Sequence, residues 1–224
     1  MLVPITQNLW SIQHHFLVSG VPATSRMTVV RLENGDLWLH SPVPLHREDK
    51  AALDALGEVK AIVAPSKLHH LFAGPMAEMY PQAKLYGAPG LAKKRPDLRG
   101  LLPLEAAPGN WAPELSYHLF QGIPAANETV WFHAPSGTLI LTDLCQWWRG
   151  SIGWKALLWN LAVGTRKQFN VPRTVRALVR DREAARTSAQ QILQWPITRI
   201  VMAHNTIIEE NAKAQLTHAF RHFL

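Results

Sequence analysis

Two adjacent histidines, His69 and His70, follow a short apolar run, 61–64, that Pro65 brings to a stop. Two further strand-like runs end in the same manner, 138–143 in the carboxylate of Asp143 and 199–204 in the imidazole of His204. Imidazole nitrogen and carboxylate oxygen together suit Zn²⁺, with Fe or Mn as alternatives. Ligands in α/β proteins collect where strands leave the sheet. The pattern therefore predicts a metal site formed by His69, His70, Asp143 and His204. Such an ion lowers the pKa of bound water towards neutrality and polarises an ester, thioester or phosphoester oxygen. Four protein ligands leave it an open position only in five-coordinate geometry. The same side chains also admit a structural reading, with the histidines bonding to backbone and Asp143 capping the segment after it.

The elements that must carry these residues alternate between hairpins and helices. Runs 8–12 and 27–32 are strand-like by their β-branched and aromatic content. Asn34-Gly35 supplies a hairpin turn, and 37–40 returns as a strand ending in His40, which Ser41-Pro42 terminates. Run 47–56 has helical spacing with Gly57 as its stop. Helix is expected again over 71–80, strand over 84–87, and a turn with a brief helix over 88–97. Strands are expected at 115–120, 128–133 and 138–143, then an irregular or helical stretch over 144–168 holding four of the nine Trp. One long basic helix opened by Pro172 is predicted over 171–193, a last strand over 197–204 and a terminal helix over 207–223. Hairpins dominate, which favours an α/β sandwich over a doubly wound parallel sheet.

Bulk properties narrow the function. The 224 residues include 47% hydrophobic ones, enough for a sizeable core. The net charge of +7 favours anionic partners, above all an anionic small-molecule substrate. The basic residues do not interleave with aromatics, so nucleic acid is not an expected partner. Cys145 is the single cysteine, which excludes an intrachain disulfide and Cys-type zinc sites. No run approaches the roughly 20 apolar residues of a membrane span, and no signal peptide is evident at the start. A cytoplasmic location is the expectation, and the oligomeric state is left open. The Trp147, Trp148, Trp154 and Trp159 cluster reads as packing of an inserted helical segment. Its functional alternative is an apolar substrate wall, or a weak membrane-surface contact with Arg149, Lys155, Arg166 and Lys167 facing headgroups.

The order of these features resembles the metallo-β-lactamase superfamily: a hairpin-rich start, a His-containing turn, a strand ending in Asp and a last strand ending in His. Thr24-Ser-Arg-Met-Thr-Val-Val-Arg-Leu, Leu39-His-Ser-Pro-Val and His69-His-Leu-Phe are similar to its DUF4336 branch. The resemblance implies an α/β fold, an αββα sandwich of the metallo-β-lactamase type, as one domain over 1–224 with a helical Trp-rich insertion at 144–196. In the superfamily the turn reads His-x-His-x-Asp-His; here the aligned residues are Pro65-Ser66-Lys67-Leu68-His69-His70. Two ligands of the first metal thus become Pro65 and Lys67, and a third is missing near Gly122-Ile123-Pro124. The second site is matched by His69, His70, Asp143 and His204.

His40 stands where the superfamily has an Asp, and is expected to be an orienting group or a replacement ligand, or else simply an edge-exposed histidine. An inward Lys67 would set its ammonium in the vacated site beside Asp143, so Lys67 and His40 are the candidate catalytic residues. Glu128, just past the loop that lacks its His, could approach the site but reads first as a solvated residue at a strand start, and Cys145 reads as a buried small hydrophobe. The function implied is a metal-dependent hydrolase-like protein with one metal. The alternative is a non-catalytic relative that binds a small molecule, a lipid surface or a protein.

Overall fold

The computed structural model describes residues 1–18, 20–104, 111 and 113–224. Two compact units emerge: residues 1–14 with 25–114, and residues 15–24 with 115–224. A seven-stranded sheet runs in chain order: β1 (Leu2–Thr6), β2 (Leu9–Val18), β3 (Val21–Arg31), β4 (Leu37–His40), β5 (Val59–Ala64), β6 (Lys84–Gly87) and β7 (Leu102–Pro103). β1 pairs with β2 and β3 with β4 antiparallel, while β4 to β7 are parallel. Helices α1 (Arg47–Asp54), α2 (Ala73–Met79) and α3 (Leu91–Lys94) supply the crossovers that parallel pairing requires. The hairpin turn falls at Gly35, whose φ of +88° explains the glycine.

The first unit's core follows from its strand sequences. Leu39, Ile62 and Val63 are fully buried, and burying each such side chain contributes about 1.5–3 kcal/mol. Leu39 and Ile62 pack with Met27, Leu53, Ala73 and Leu91 in one cluster. A near-continuous apolar run is what a central parallel strand needs. Register then sets the rim: His40 is paired with Val63, and the amide of Ser41 donates to the Val63 carbonyl at 3.0 Å.

The second unit holds a five-stranded sheet with β8 (Leu115–Leu119), β9 (Thr129–His133), β10 (Thr138–Leu141), β11 (Arg199–Met202) and β12 (Ile207–Ile208), in the order β12-β11-β10-β9-β8. Only β10 and β11 are parallel among its pairs. Helices α4 (Trp154–Val163), α5 (Arg173–Ala177), α6 (Arg182–Ile192) and α7 (Ala212–Phe220) complete it. Ala185, Ser188, Ala189 and Ile192 form the buried stripe of α6 at helical spacing.

Two element predictions need correction here. The long helix expected over 171–193 is broken between α5 and α6. Asp181 adopts an extended conformation and caps α6, accepting from the Ala184 amide at 3.0 Å. The amides of Arg180 and Asp181 meanwhile donate to the Gly122 carbonyl, which takes them out of any helix. Gly122 is fixed by the same contact: φ is +85°, and a Cβ there would lie 2.2 Å from the Asp181 carbonyl oxygen. The terminal helix begins later than expected, because Ile207 and Ile208 pair with β11 and Asn211, at φ +50°, turns the chain into α7.

Candidate metal centre

In the second unit, strand register brings two of the expected ligands together. Leu141 pairs with Met202 in the parallel β10–β11 ladder, so the residues two steps beyond, Asp143 and His204, emerge side by side. His204 Nε2 lies 2.9 Å from Asp143 Oδ1. His204 Nδ1 faces the Thr24 carbonyl oxygen. A carbonyl only accepts, so Nδ1 carries the proton and the neutral ring presents a lone pair at Nε2. That lone pair meets a carboxylate oxygen, also an acceptor. Two acceptors this close require a cation between them, either a proton on Nε2 or a metal ion. Burial opposes the charged ring, but Asp143 and the Thr24 carbonyl together raise the His204 pKa above the ordinary histidine value.

The loop bearing Asp143 is held from below by Glu128. This carboxylate is 3% exposed and accepts from three successive amides: Thr142 at 2.6 Å, Asp143 at 2.9 Å and Leu144 at 2.9 Å. Burial, with Asp143 adding to it, pushes the Glu128 pKa up to about 7 against the pull of those amides. The expectation of a solvated Glu128 is therefore corrected, since it closes the main-chain hydrogen bonds of a turn that has no ladder partner. On the other side Trp148 stacks on His204 with centroids 5.7 Å apart. Asn205, at φ +51°, donates its amide to Thr24 Oγ1 and accepts from the Arg149 amide.

In the first unit the histidine pair divides. His69 Nδ1 lies 2.9 Å from Ser41 Oγ. Ser41 has a φ of +55°, a strained setting for a non-glycine residue and one common beside functional groups. The buried His70 turns to Arg95, whose Nη1 donates to His70 Nδ1 at 2.9 Å. Guanidinium cannot accept, so this nitrogen is occupied and the neutral ring's proton sits on Nε2. Arg95 is itself anchored by Asp97 at 2.8 and 2.6 Å. Burial, Lys94 and Arg95 all lower the His70 pKa.

His40 is buried, stacks on Trp38 at 5.5 Å and has a pKa lowered to about 3, by burial first and then by His69. It is neutral at pH 7, far from the value a general acid or base needs. The Lys67 side chain runs along Gly90, with Nζ 3.7 Å from the position a Cβ would take there, and its carbonyl accepts from Lys94 Nζ. Cys145 is buried as expected, and burial with Glu128 drives its pKa up. Ser41, Arg95 and Thr24 lacked any local signal, because each meets its partner through the fold, whereas Glu128 had only its place beside the loop near Gly122 to mark it. Of the four expected ligands, Asp143 and His204 come together within the second unit, where imidazole nitrogen and carboxylate oxygen suit a metal ion, while His69 and His70 belong to the first.

Comparison with known proteins agrees with this architecture. The family model "Domain of unknown function (DUF4336)" matches residues 6–149, and the chain belongs to that family. No curated protein matches the sequence. Among solved structures, a metallo-beta-lactamase from Pontibacter korlensis is similar with a TM-score of 0.63 at 12% identity, covering 100% of this chain and 98% of that one. A metallo-beta-lactamase from Erythrobacter litoralis gives 0.65 at 14%, covering 97% and 94%. The flavodiiron core of Flv1 from Synechocystis gives 0.68 at 10%, covering 100% of this chain but 60% of that one. The chain thus has the metallo-β-lactamase fold, as its sequence resemblance implied. No helix among the described residues is long and apolar enough to cross a membrane.

Proposed function

We propose that this protein is a mononuclear metal-dependent hydrolase-like protein acting on an anionic ester, thioester or phosphoester. In this reading the two units work as one domain over residues 1–224, and His69, Asp143 and His204 hold a single ion, Zn²⁺ or alternatively Fe or Mn. The observation that carries it is the facing pair of acceptors, His204 Nε2 and Asp143 Oδ1 at 2.9 Å. Three protein ligands, rather than four, leave a position open for water or substrate. A bound ion would act as a Lewis acid and lower the pKa of its water.

The chain's own residues do the positioning. The Thr24 carbonyl fixes the His204 tautomer and Ser41 orients His69, the outer hydrogen bonds that metal-binding imidazoles commonly need. Glu128 holds the Asp143 turn through three amides. Lys67, Lys94 and Arg95 flank the His69–His70 turn with positive charge, which favours an anionic substrate. Lys67 is accordingly proposed to draw in the substrate's anionic group. His40 is proposed to support the His69 side of the rim as a packed neutral ring.

Elemental analysis tests the reading. The wild type is expected to hold about one equivalent of metal per chain, and His69→Ala, Asp143→Ala and His204→Ala to hold none. Hydrolysis of p-nitrophenyl esters, phosphoesters and thiolactones should follow metal content. Failure to bind Zn²⁺, Mn²⁺ or Fe²⁺ in any buffer would overturn it. One observation favours a second reading: 2.9 Å is also a hydrogen-bond length, and the His204 pKa is raised. A proton would then replace the metal in a non-catalytic relative that binds its ligand without turnover. Nitrogen NMR of a metal-free sample separates the two, since an imidazolium at His204 that Zn²⁺ leaves unchanged supports the second.

A further inference from the structure

Helix α4 is inside out. Its apolar stripe at i, i+3, i+4 and i+7 is Trp154, Leu157, Leu158 and Leu161, and all four are exposed, Trp154 by 69% and Leu158 by 58%. The face turned inward carries Ala156, Asn160 and Val163. Asn160 is held there by donating to the Ala156 carbonyl and accepting from Thr165 Oγ1 at 2.7 Å. An amphipathic helix normally buries the stripe that α4 displays. Trp159 adds a further exposed ring at 55%, and Lys155 Nζ lies 5.7 Å from the Trp154 ring centroid. The expected packing role thus holds for the buried Trp148 and the partly buried Trp147, and fails for Trp154 and Trp159.

A cationic pocket of about 490 Å³ opens at the end of the same stripe, with Leu161 on its edge. Arg166, Lys167, Arg173, Arg176 and Arg221 line it, and no carboxylate side chain does. Backbone carbonyls fix the guanidinium groups in place: Trp148 for Arg166 at 2.6 Å, Ala162 for Arg173 at 2.9 Å and Val171 for Arg176 at 3.1 Å. The cations repel one another, since burial together with Arg173 and Arg221 lowers the Arg176 pKa. An anion seated among them would relieve that repulsion. The sequence strengthens the point: from Leu144 to Arg180 there are seven basic residues and no acidic one.

We propose that α4 and this pocket form a docking face for an anionic phospholipid bilayer. The Trp and Leu side chains enter the interfacial layer, and the pocket receives a headgroup phosphate. Charge complementarity selects this occupant. A second copy would bring the same uncompensated positive stretch against itself, and nucleic acid offers nothing to an exposed Leu stripe. A membrane surface answers both features at once, since interfacial helices pair Trp and Leu with flanking Lys and Arg.

Flotation of the full chain tests this with vesicles of phosphatidylcholine alone or mixed with phosphatidylglycerol. The protein should float only with the mixed vesicles, with a blue shift of Trp fluorescence and release at high salt. Lys167→Gln with Arg173→Gln should weaken partition roughly thirty-fold, as two lost surface charges imply. Leu158→Ser with Trp154→Ser should abolish the blue shift, and circular dichroism confirms that these exposed substitutions leave the fold intact. Four results would overturn the proposal. They are no flotation with anionic vesicles, flotation untouched by the α4 changes, and calorimetric binding of inorganic phosphate without flotation, which marks a free-anion pocket. The fourth is a dimer in sedimentation, dissolved by Leu158→Ser, in a protein that does not float.

Discussion

The two units bring histidines to strand ends in the same way and then treat them oppositely. In the second unit His204 meets carboxylate chemistry: Asp143 at 2.9 Å, with Glu128 buried beneath the same turn. In the first, His70 meets a guanidinium and His69 a hydroxyl. An imidazole facing a carboxylate is drawn towards holding a cation, whereas one facing Arg95 is pushed away from it, as the opposite pKa directions of His204 and His70 record. Histidine at a rim is therefore no ligand until its second nitrogen is accounted for. His69 differs from both, since its Nδ1 meets a hydroxyl that brings no charge.

Substitutions can break this contrast, beginning with the largest effect. His204→Ala should empty the metal site, while His70→Ala should leave the metal equivalent in place; equal losses in elemental analysis would erase the distinction. Glu128→Ala leaves three amides without an acceptor, two of them in buried hydrogen bonds, and should cost about 3–5 kcal/mol in urea unfolding. A change below about 1 kcal/mol would mean the turn holds itself.

A histidine remote from both clusters gives a pH control. His133 is buried, its Nδ1 is bonded to Ser136 at 2.7 Å, and burial lowers its pKa to about 4. The unfolded chain takes up this proton near pH 6.5 and the folded one only near 4, so stability falls as pH drops through that window. Between pH 6.5 and 5 the loss is about 1.5 kcal/mol. His133→Gln should reduce the slope without abolishing it, since buried His40 contributes in the same direction, and an unchanged slope would assign it to other groups. The smallest expected effect is Ser41→Ala, which removes the orienting hydroxyl from His69. It should weaken metal affinity about tenfold, read in a competition titration with a chelator.

Legibility in the sequence tracks locality. Apolar runs such as Ile62-Val63-Ala64 and Ile200-Val201-Met202 mark strands wherever they occur, and the residues past them mark the rim. Asn34-Gly35 gives its hairpin for the same reason. The break between α5 and α6 was within reach, since Asp181 stands as a capping residue inside an otherwise basic run. Strand β12 was not, because two residues carry no period. Glu128 reads as a surface residue because Glu is rarely buried alone, and the amides that hold it lie 14 to 16 residues on. Arg95 reaches His70 across 25 residues, a distance no spacing rule covers. Helix α4 misleads differently: its stripe has the spacing of a core helix, and only coordinates reveal which way it faces.

The parallel ladder between β10 and β11 works as a vernier. Main-chain bonds align Leu141 with Met202, so the separation of the two seats beyond them owes nothing to what occupies those seats. One residue added to either strand would slide its seat about 3.3 Å and flip it to the other face. Exchanging the occupant, by contrast, changes the chemistry and leaves the spacing intact. The frame can therefore accept new donors at 143 and 204 without being rebuilt.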